Sequence, residues 1–212
     1  MRGILINNTI HTGLDLELVM EAKDLGSPSV QKNTVEIPGR NGLLEMSEAI
    51  TGEPTYSNRP QAYKFIGNGS REVVLNLIDI MMSYHGQYIT IVVDDYEDWY
   101  YEGRVEVVYN DRGNYVEFEL AVDAQPFRYA LDPINVSYTA ITSQNVTLNN
   151  RGVTVIPKIV TDAETTIVFG ENTYRLSAGT YEPEDLALRR GDNVYTITTG
   201  GTITIEYREA VL

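Results

Sequence analysis

The sequence contains no cysteine and only two histidines, His11 and His85, among its 212 residues. Without cysteine there can be no disulfide, no thiolate metal site and no cysteine nucleophile. Two histidines are too few for a multi-histidine zinc site, so acid–base chemistry would fall mainly to carboxylates. No segment approaches the roughly 20 apolar residues of a membrane span, and the apolar run after Met1 is too short for a signal peptide. We therefore expect a soluble protein made inside the cell.

Positive charge is also scarce. The chain has 16 Lys and Arg against 30 Asp and Glu, which gives a formal net charge of −14. A protein that grips nucleic acid, or that attaches to an anionic membrane, needs a surplus of clustered Lys and Arg. The charge balance therefore argues against both classes. Apolar residues make up 42% of the chain, a usual share for a folded globular protein.

Alternation of apolar and polar residues dominates the first 132 residues and predicts β-strands. The alternating stretches are Leu14–Met20, Ile89–Val93, Val105–Tyr109 and Val116–Val122. The last two are joined by a turn-rich segment, 110–114, that is typical of a hairpin loop.

One segment follows a helical period instead. Its apolar residues Val74, Leu77, Ile78 and Met81 have the i, i+3, i+4, i+7 spacing of an amphipathic helix. Ser70 suits the N-cap, and Gly86 can adopt the left-handed conformation that ends a helix. The spacing predicts one α-helix over about 70–85.

Two prolines between Gln125 and Pro133 indicate a domain crossing, which we place between residues 1–132 and 133–212. The first segment holds 10 basic and 21 acidic residues, net −11, and the second holds 6 and 9, net −3. Short strands separated by turn signals fill the second segment and predict a small β-sandwich without a helix. The predicted strands there are Val136–Tyr138, Val146–Leu148, Val153–Val160, Thr166–Phe169, Asn193–Thr198 and Thr202–Tyr207.

The acidic run from Asp94 to Glu102 is the first candidate for chemistry. It does not fit a calcium-binding loop, because Trp99 occupies the position that requires glycine. A hydrolase could use a pair of carboxylates from Asp94, Asp95 and Glu97, although any acidic β-protein offers such pairs by chance. The alternative interpretation is a solvated turn between two strands, with Trp99 and the tyrosines packed beneath it.

A second candidate, Ile37–Gly42, lacks the spacing and the lysine of a phosphate-binding loop. It fits a tight turn in which Gly39, Asn41 and Gly42 take positive φ angles. The residues alone thus predict no catalytic, cofactor-binding or metal site, and we expect a protein that is not an enzyme.

Several segments, taken in order, resemble the distal tail proteins of siphophages, which join the tail tube to the baseplate. The matching pieces are Val35–Gly42, Tyr56–Pro60, the helix at 70–85, Gly86–Val93, Asp94–Asp95, Tyr100–Arg104, Phe118–Tyr129, Asn150–Lys158, Gly191–Tyr195 and Gly200–Arg208. Each motif alone is weak, whereas the ordered set is fairly specific and spans most of the chain.

The resemblance implies a mainly β protein with one α-helix. Its N-terminal β-sandwich or barrel-like domain would close into a hexameric ring, and its small C-terminal domain would be a galectin-like β-sandwich. It further implies a virion protein of the phage tail tip, made in the bacterial cytoplasm, with no enzymatic activity and no cofactor. The implied partners are five further copies, the tail tube protein and a tail-tip protein, with DNA passing through the channel unbound and no membrane contact.

Three hypotheses about sites accompany this resemblance. Surplus carboxylates of residues 1–132 would line the channel and repel DNA phosphates. The turns at 39–42 and 94–98, with Arg40 and Trp99, would contact neighbouring subunits or the tube. The alternative function is glycan binding by the 133–212 sandwich, through an aromatic platform chosen from Tyr174, Tyr181 and Tyr195.

Overall fold

The computed structural model describes residues 2–47 and 52–212. The chain forms two compact units, Met1–Arg128 and Tyr129–Leu212, whereas the sequence analysis placed the boundary after Asp132. Over the described residues the fold is mainly β with a single α-helix, as predicted. Among the described residues, no helix has the length and apolar character needed to cross a membrane.

The described elements of the first unit are β1 (Ile4–Ile6), β2 (Ile10–His11), β3 (Val19–Asp24), β4 (Val30–Gln31), β5 (Thr34–Val35), β6 (Leu44–Glu45), β7 (Thr55–Tyr56), β8 (Arg59–Asn68), α1 (Arg71–Met82), β9 (Tyr88–Val93), a 3₁₀ turn (Asp94–Tyr96), β10 (Trp99–Asp111) and β11 (Tyr115–Ala124). Seven of these strands form the main path of an antiparallel sheet, in the order β2-β1-β9-β10-β11-β8-β3. A short strand, β12 (Arg128–Ala130), follows at the boundary between the units.

The main sheet buries one face and leaves the other open, because alternate side chains of each strand point to opposite faces. The buried residues include Phe65, Val105, Val107 and Leu120, and they join the apolar face of α1 in one core. We call the opposite, solvent-exposed face of β8, β9, β10 and β11 the outer face.

Helix α1 buries Val74, Leu77, Ile78 and Met81, the four residues that the helical spacing identified. Ser70 is its N-cap, as predicted, and the side chain accepts a hydrogen bond from the Val73 N–H. The helix ends at Met82, three residues before the predicted end, and a turn then leads to Gly86 with φ +78°.

The predicted strand at Leu14–Met20 is wrong over most of its length, since β3 begins only at Val19. A turn occupies the segment, and Leu14 is 68% exposed. Local hydrogen bonds replace strand pairing: the His11 Nδ1 accepts from the N–H groups of Gly13 and Leu14. The Asp15 carboxylate accepts from the His11 N–H at 2.7 Å.

Between β3 and β8 the chain forms a long hairpin, in which β4 pairs with β7 and β5 pairs with β6. We call its described residues, 30–47 and 52–56, the arm. The arm exposes several large apolar side chains: Val30, Val35, Ile37, Leu43 and Met46. None of them belongs to the apolar core of the first unit as far as the structure describes it.

The second unit is a β-sandwich, and its described elements include no α-helix. These elements are β13 (Ile134–Thr139), β14 (Gln144–Asn150), β15 (Lys158–Thr161), β16 (Thr165–Phe169), β17 (Asn172–Leu176), β18 (Gly179–Tyr181), a 3₁₀ turn (Glu184–Leu186), β19 (Gly191–Thr199), β20 (Thr202–Tyr207) and β21 (Ala210–Val211). The two antiparallel four-stranded sheets have the orders β13-β20-β15-β18 and β14-β19-β16-β17.

The predicted strand Val153–Val160 is only partly present. β15 starts at Lys158, and upstream of it Val155 forms an isolated bridge with Leu188. Pro157 precedes β15 and has no N–H to donate to a ladder, so a continuous strand cannot form there. The other predicted strands of this unit lie within observed ones or coincide with them.

A buried carboxylate ties the end of the second unit to the loop after β14. Glu209 is 1% exposed, and it accepts hydrogen bonds from the Arg151 backbone N–H at 2.9 Å and from the Arg151 Nε at 2.7 Å. Burial by itself would raise the pKa of Glu209, but the bonds from Arg151 outweigh it and hold that pKa below its usual range.

The pKa of Glu209 is lower in the folded chain than in the unfolded chain, where it is about 4.5. The Glu209–Arg151 pair therefore contributes its full stabilisation at pH values above 4.5. Its contribution is lost as the pH falls from there through the lower pKa of the folded state. We expect Glu209→Gln to reduce the free energy of unfolding at pH 7 by about 1.5 to 3 kcal/mol. The difference from the unchanged protein should shrink as the pH falls below 4.5.

Urea denaturation at several pH values measures this effect. The exposed Glu182 provides the control, since Glu182→Gln should change the free energy of unfolding by less than about 0.5 kcal/mol. A pH-independent loss in Glu209→Gln would contradict the assigned charge interaction.

Candidate functional site

The acidic run forms a 3₁₀ turn in which its first carboxylate holds the surrounding chain. The Asp94 Oδ2 accepts from the Gly3 N–H at 2.7 Å, and the Oδ1 lies 2.8 Å from the His11 Nε2. Because the His11 Nδ1 already accepts from backbone N–H groups, the Nε2 of the neutral ring carries the proton and donates to Asp94. Asp94 thus joins β2, the chain start and the turn.

The second carboxylate of the turn, Asp95, forms ion pairs with other residues. Asp95 pairs with Lys23 on β3, and the Arg2 Nε lies 3.7 Å from its Oδ1. The hydrogen bond from Lys23 lowers the pKa of Asp95 below the ordinary carboxyl range. Glu97 is exposed to solvent. Two of the three carboxylates that the hydrolase hypothesis names therefore already serve structural partners.

Trp99 opens β10, is half-buried and stacks with a cation from the end of the first unit. The Arg128 guanidinium lies 5.2 Å from the Trp99 ring centroid and 5.4 Å from that of Tyr96. Lys23 lies 5.6 Å from the Tyr96 ring centroid. This aromatic–cation cluster covers part of the Trp99 surface that a partner would otherwise contact.

The candidate loop at 37–42 lies at the tip of the arm. Gly39 and Gly42 have φ angles of +82° and +81°, as predicted, whereas Asn41 does not take a positive φ. The Arg40 N–H donates to the Ile37 carbonyl at 3.1 Å, and residues 36–43 are exposed. A short strand, β6, follows the loop, so no helix N-terminus is present there for a phosphate group.

The outer face of the main sheet is acidic. On β10 and β11 it carries five carboxylates, those of Glu102, Glu106, Glu117, Glu119 and Asp123. The cations on the outer face of β8 and β10 are Lys64 and Arg104.

These two cations do little to neutralise the outer face. The Lys64 Nζ lies 3.4 Å from the Glu119 Oε2. Arg104 donates instead to the Gly86 carbonyl at 2.6 Å. The carboxylates are therefore in excess over a band of two neighbouring strands, and their shared field is negative.

The tyrosines named for glycan binding are not equally available. Tyr195 is fully buried between the sheets, where its hydroxyl donates to the Leu186 carbonyl and burial raises its pKa. It cannot stack on a sugar, and that part of the glycan hypothesis is wrong. Tyr174 and Tyr181 are half-buried, and the Tyr181 hydroxyl donates to the Ser177 carbonyl at 3.1 Å.

The hypotheses from sequence put surplus carboxylates in a channel lining and the 39–42 turn at a contact, but they identified neither the outer face nor the apolar arm. A signal for the first was present, because acidic residues alternate with the buried residues of β10 and β11. No such signal marked the arm, since its paired segments are only two residues long. Among the described residues, no group of three or more His, Asp or Glu could hold a metal ion.

No protein-family model matches this chain, and no curated protein is significantly similar to it in sequence. Among solved structures, the crystal structure of the SPP1 Dit (gp 19.1) protein matches over 100% of both chains, with a TM-score of 0.66 and 14% sequence identity. That protein is described as a paradigm of the hub adsorption apparatus in phages that infect Gram-positive bacteria.

A weaker likeness links the chain to the baseplate of phage p2 in its activated conformation with Sr. It covers 99% of this chain and 98% of the other, with a TM-score of 0.46 and 7% identity. The fold assignment rests on the SPP1 protein alone. The chain has the fold of a siphophage distal tail protein, the fold that its ordered motifs predicted.

Proposed function

We propose that this protein is a structural hub of a siphophage tail, in which six copies close into a ring around a channel for DNA. The acidic outer face carries the proposal. A channel that lets DNA pass must not hold it, and carboxylates in excess repel phosphates. The fold shared with the SPP1 Dit protein supports the proposal independently, because it extends over the whole chain.

In this proposal the outer face of each copy lines the channel. Five carboxylates there face Arg104 and Lys64, which is paired with Glu119, and Arg112 from the adjoining turn lies 3.7 Å from Glu117. Carboxylates remain in excess. Repeated six times around an axis, this excess would produce a continuous negative lining. In this proposal the domain boundary predicted from sequence, between 1–132 and 133–212, separates a ring-forming part from a second, less charged part.

The arm supplies the contacts between copies. Its exposed apolar side chains, Leu43 at 61% among them, gain about 1.5 to 3 kcal/mol each when fully buried. A heterologous contact that repeats by rotation closes a ring, and an arm that reaches a neighbouring copy provides such a contact. We assign Arg40, at the arm tip, to this interface. Trp99 is a weaker choice, because Arg128 already stacks on its ring.

The ring would stack on the tail tube protein with one face and carry the tail-tip protein on the other. The protein would act by assembly, without catalysis, a cofactor or membrane contact, and would be made in the bacterial cytoplasm before joining the virion.

Glycan binding by the second unit is the weaker candidate, because Tyr195, one of the three tyrosines named for it, is buried in the core. Its galectin-like character remains a prediction.

The first prediction concerns the arm. We expect Leu43→Asp to abolish ring formation, because burying a carboxylate in an apolar contact is costly. The stability of the single chain should change by less than about 0.5 kcal/mol, since Leu43 lies at the surface. Light scattering measures the mass in solution, and thermal unfolding measures the stability.

Leu14→Asp is the matched control, since Leu14 is an equally exposed leucine in a turn outside the arm. It should leave the ring intact. A ring that forms normally with Leu43→Asp would remove the arm from the interface.

The second prediction concerns the channel lining. We expect the double variant Glu102→Lys, Glu106→Lys to retard double-stranded DNA in a gel-shift assay, with retention that weakens as salt rises. Both residues lie on the outer face of β10, so the substitutions reverse charge without entering the core. The unchanged protein should not retard DNA.

Glu182→Lys, Glu184→Lys is the matched control, with the same change in net charge on the exposed surface of the second unit. If it retards DNA as strongly as the β10 variant, the effect comes from net charge alone. That result would contradict a channel lined by the outer face.

A further inference from the structure

The sequence contains two Asn–Gly pairs, Asn41–Gly42 and Asn68–Gly69. In such a pair no Cβ shields the backbone nitrogen that follows asparagine, so this nitrogen can approach the side-chain amide carbon. In a folded chain the approach also requires that the local backbone can rearrange. The two pairs therefore allow one reactive dipeptide to be compared in two structural settings.

The first pair lies in an open setting. Asn41 and Gly42 belong to the exposed loop between β5 and β6, at the tip of the arm. A Cβ placed on Gly42 would meet nothing within 4 Å. Within residues 2–47 and 52–212, no group accepts a hydrogen bond from the Gly42 N–H. Nothing described there restrains the nitrogen or the side chain of Asn41.

The second pair is held on both sides. Asn68 is the last residue of β8 and pairs with Tyr115 on β11. The Gly69 N–H donates to the Asn114 carbonyl at 3.0 Å. A Cβ on Gly69 would lie 2.7 Å from the Val73 Cγ1, so the surroundings are packed. Here the nitrogen can react only after the strand end has opened.

We propose that Asn41 is a site of spontaneous deamidation in the folded protein and that Asn68 is protected. The Gly42 backbone nitrogen bonds to the Asn41 side-chain carbonyl carbon and loses its proton, and the bond from that carbon to the side-chain nitrogen breaks. The departing NH2 group takes up one proton and leaves as ammonia. Water then opens the five-membered imide at either carbonyl and yields aspartate or isoaspartate. Water enters and ammonia leaves, so no oxidant or reductant is required.

The product changes the arm tip in two ways. A carboxylate appears beside Arg40, which removes the net positive charge of the loop tip 39–42. Isoaspartate also adds one methylene to the backbone between two residues of the loop. The reaction needs the arm tip uncovered, as it is in the single chain. A ring that buries this tip, as proposed above, would protect Asn41, so deamidation would occur in chains that have not assembled.

The test follows both sites in the same sample of the full-length Leu43→Asp variant, which leaves the arm tip uncovered by a neighbouring copy. The folded variant is incubated in its native state at mildly alkaline pH. Proteolysis and mass spectrometry then measure the amide-to-acid conversion at Asn41 and at Asn68. We expect conversion at Asn41 to be at least about tenfold faster, the factor that corresponds to roughly 1.4 kcal/mol for opening the Gly69 hydrogen bond. Enzymatic methylation of isoaspartate should label the Asn41 peptide.

The same chain unfolded in urea provides the reference for intrinsic reactivity, and there the two sites should react at similar rates. Gly42→Ala should slow conversion at Asn41, because its Cβ hinders the attacking nitrogen. The comparison is made in the urea-unfolded chains, since an alanine at the native φ of +81° would strain the folded loop. Equal native rates at the two sites would overturn the proposal. So would native protection of Asn41 in a protein whose unfolded chain reacts there.

Discussion

The two-sided nature of the main sheet is the constraint on which the rest of the first unit depends. Each strand of an antiparallel sheet sends alternate side chains to opposite faces. On β10, Val105 and Val107 enter the core while Glu102 and Glu106 face solvent. A slip of one residue would move Glu102 and Glu106 into the core. Folding and the negative outer face therefore depend on one register.

The arm differs from the main sheet, because its large apolar side chains are not part of the core as far as the structure describes it. Its strands are two residues long, pair only with each other and leave apolar side chains in water. A hairpin of this kind is marginally stable alone, and exposed apolar patches of this sort are typical of surfaces that contact another protein. In the proposed function, the arm and the acidic outer face are the two surfaces that serve assembly.

The sequence predicted the parts of the fold in which one local pattern decides the structure. The spacing of Val74, Leu77, Ile78 and Met81, together with Ser70, was enough for α1. Period-two alternation was enough for β10 and β11. It failed at Leu14–Leu18, where hydrogen bonds to the His11 ring and the Asp15 carboxylate form a turn instead of a strand.

The remaining errors come from long-range relations that a sequence does not display. Alternation placed Tyr195 in a strand, but it did not reveal which face of that strand is buried. The contacts of Asp94 with His11 and of Asp95 with Lys23 join residues far apart in the chain. From the sequence alone, both a catalytic pair and a solvated turn were open interpretations of the acidic run. In the structure, Asp94 and Asp95 hold a turn in place through these contacts.

The mass of the protein in solution distinguishes a ring from a single chain. Size-exclusion chromatography with light scattering gives this mass, and negative-stain imaging of the main peak shows its shape. We expect a species of six 23.8 kDa chains, about 143 kDa, with a central hole. A chain that stays monomeric at every concentration, or an assembly without a central hole, would contradict this expectation.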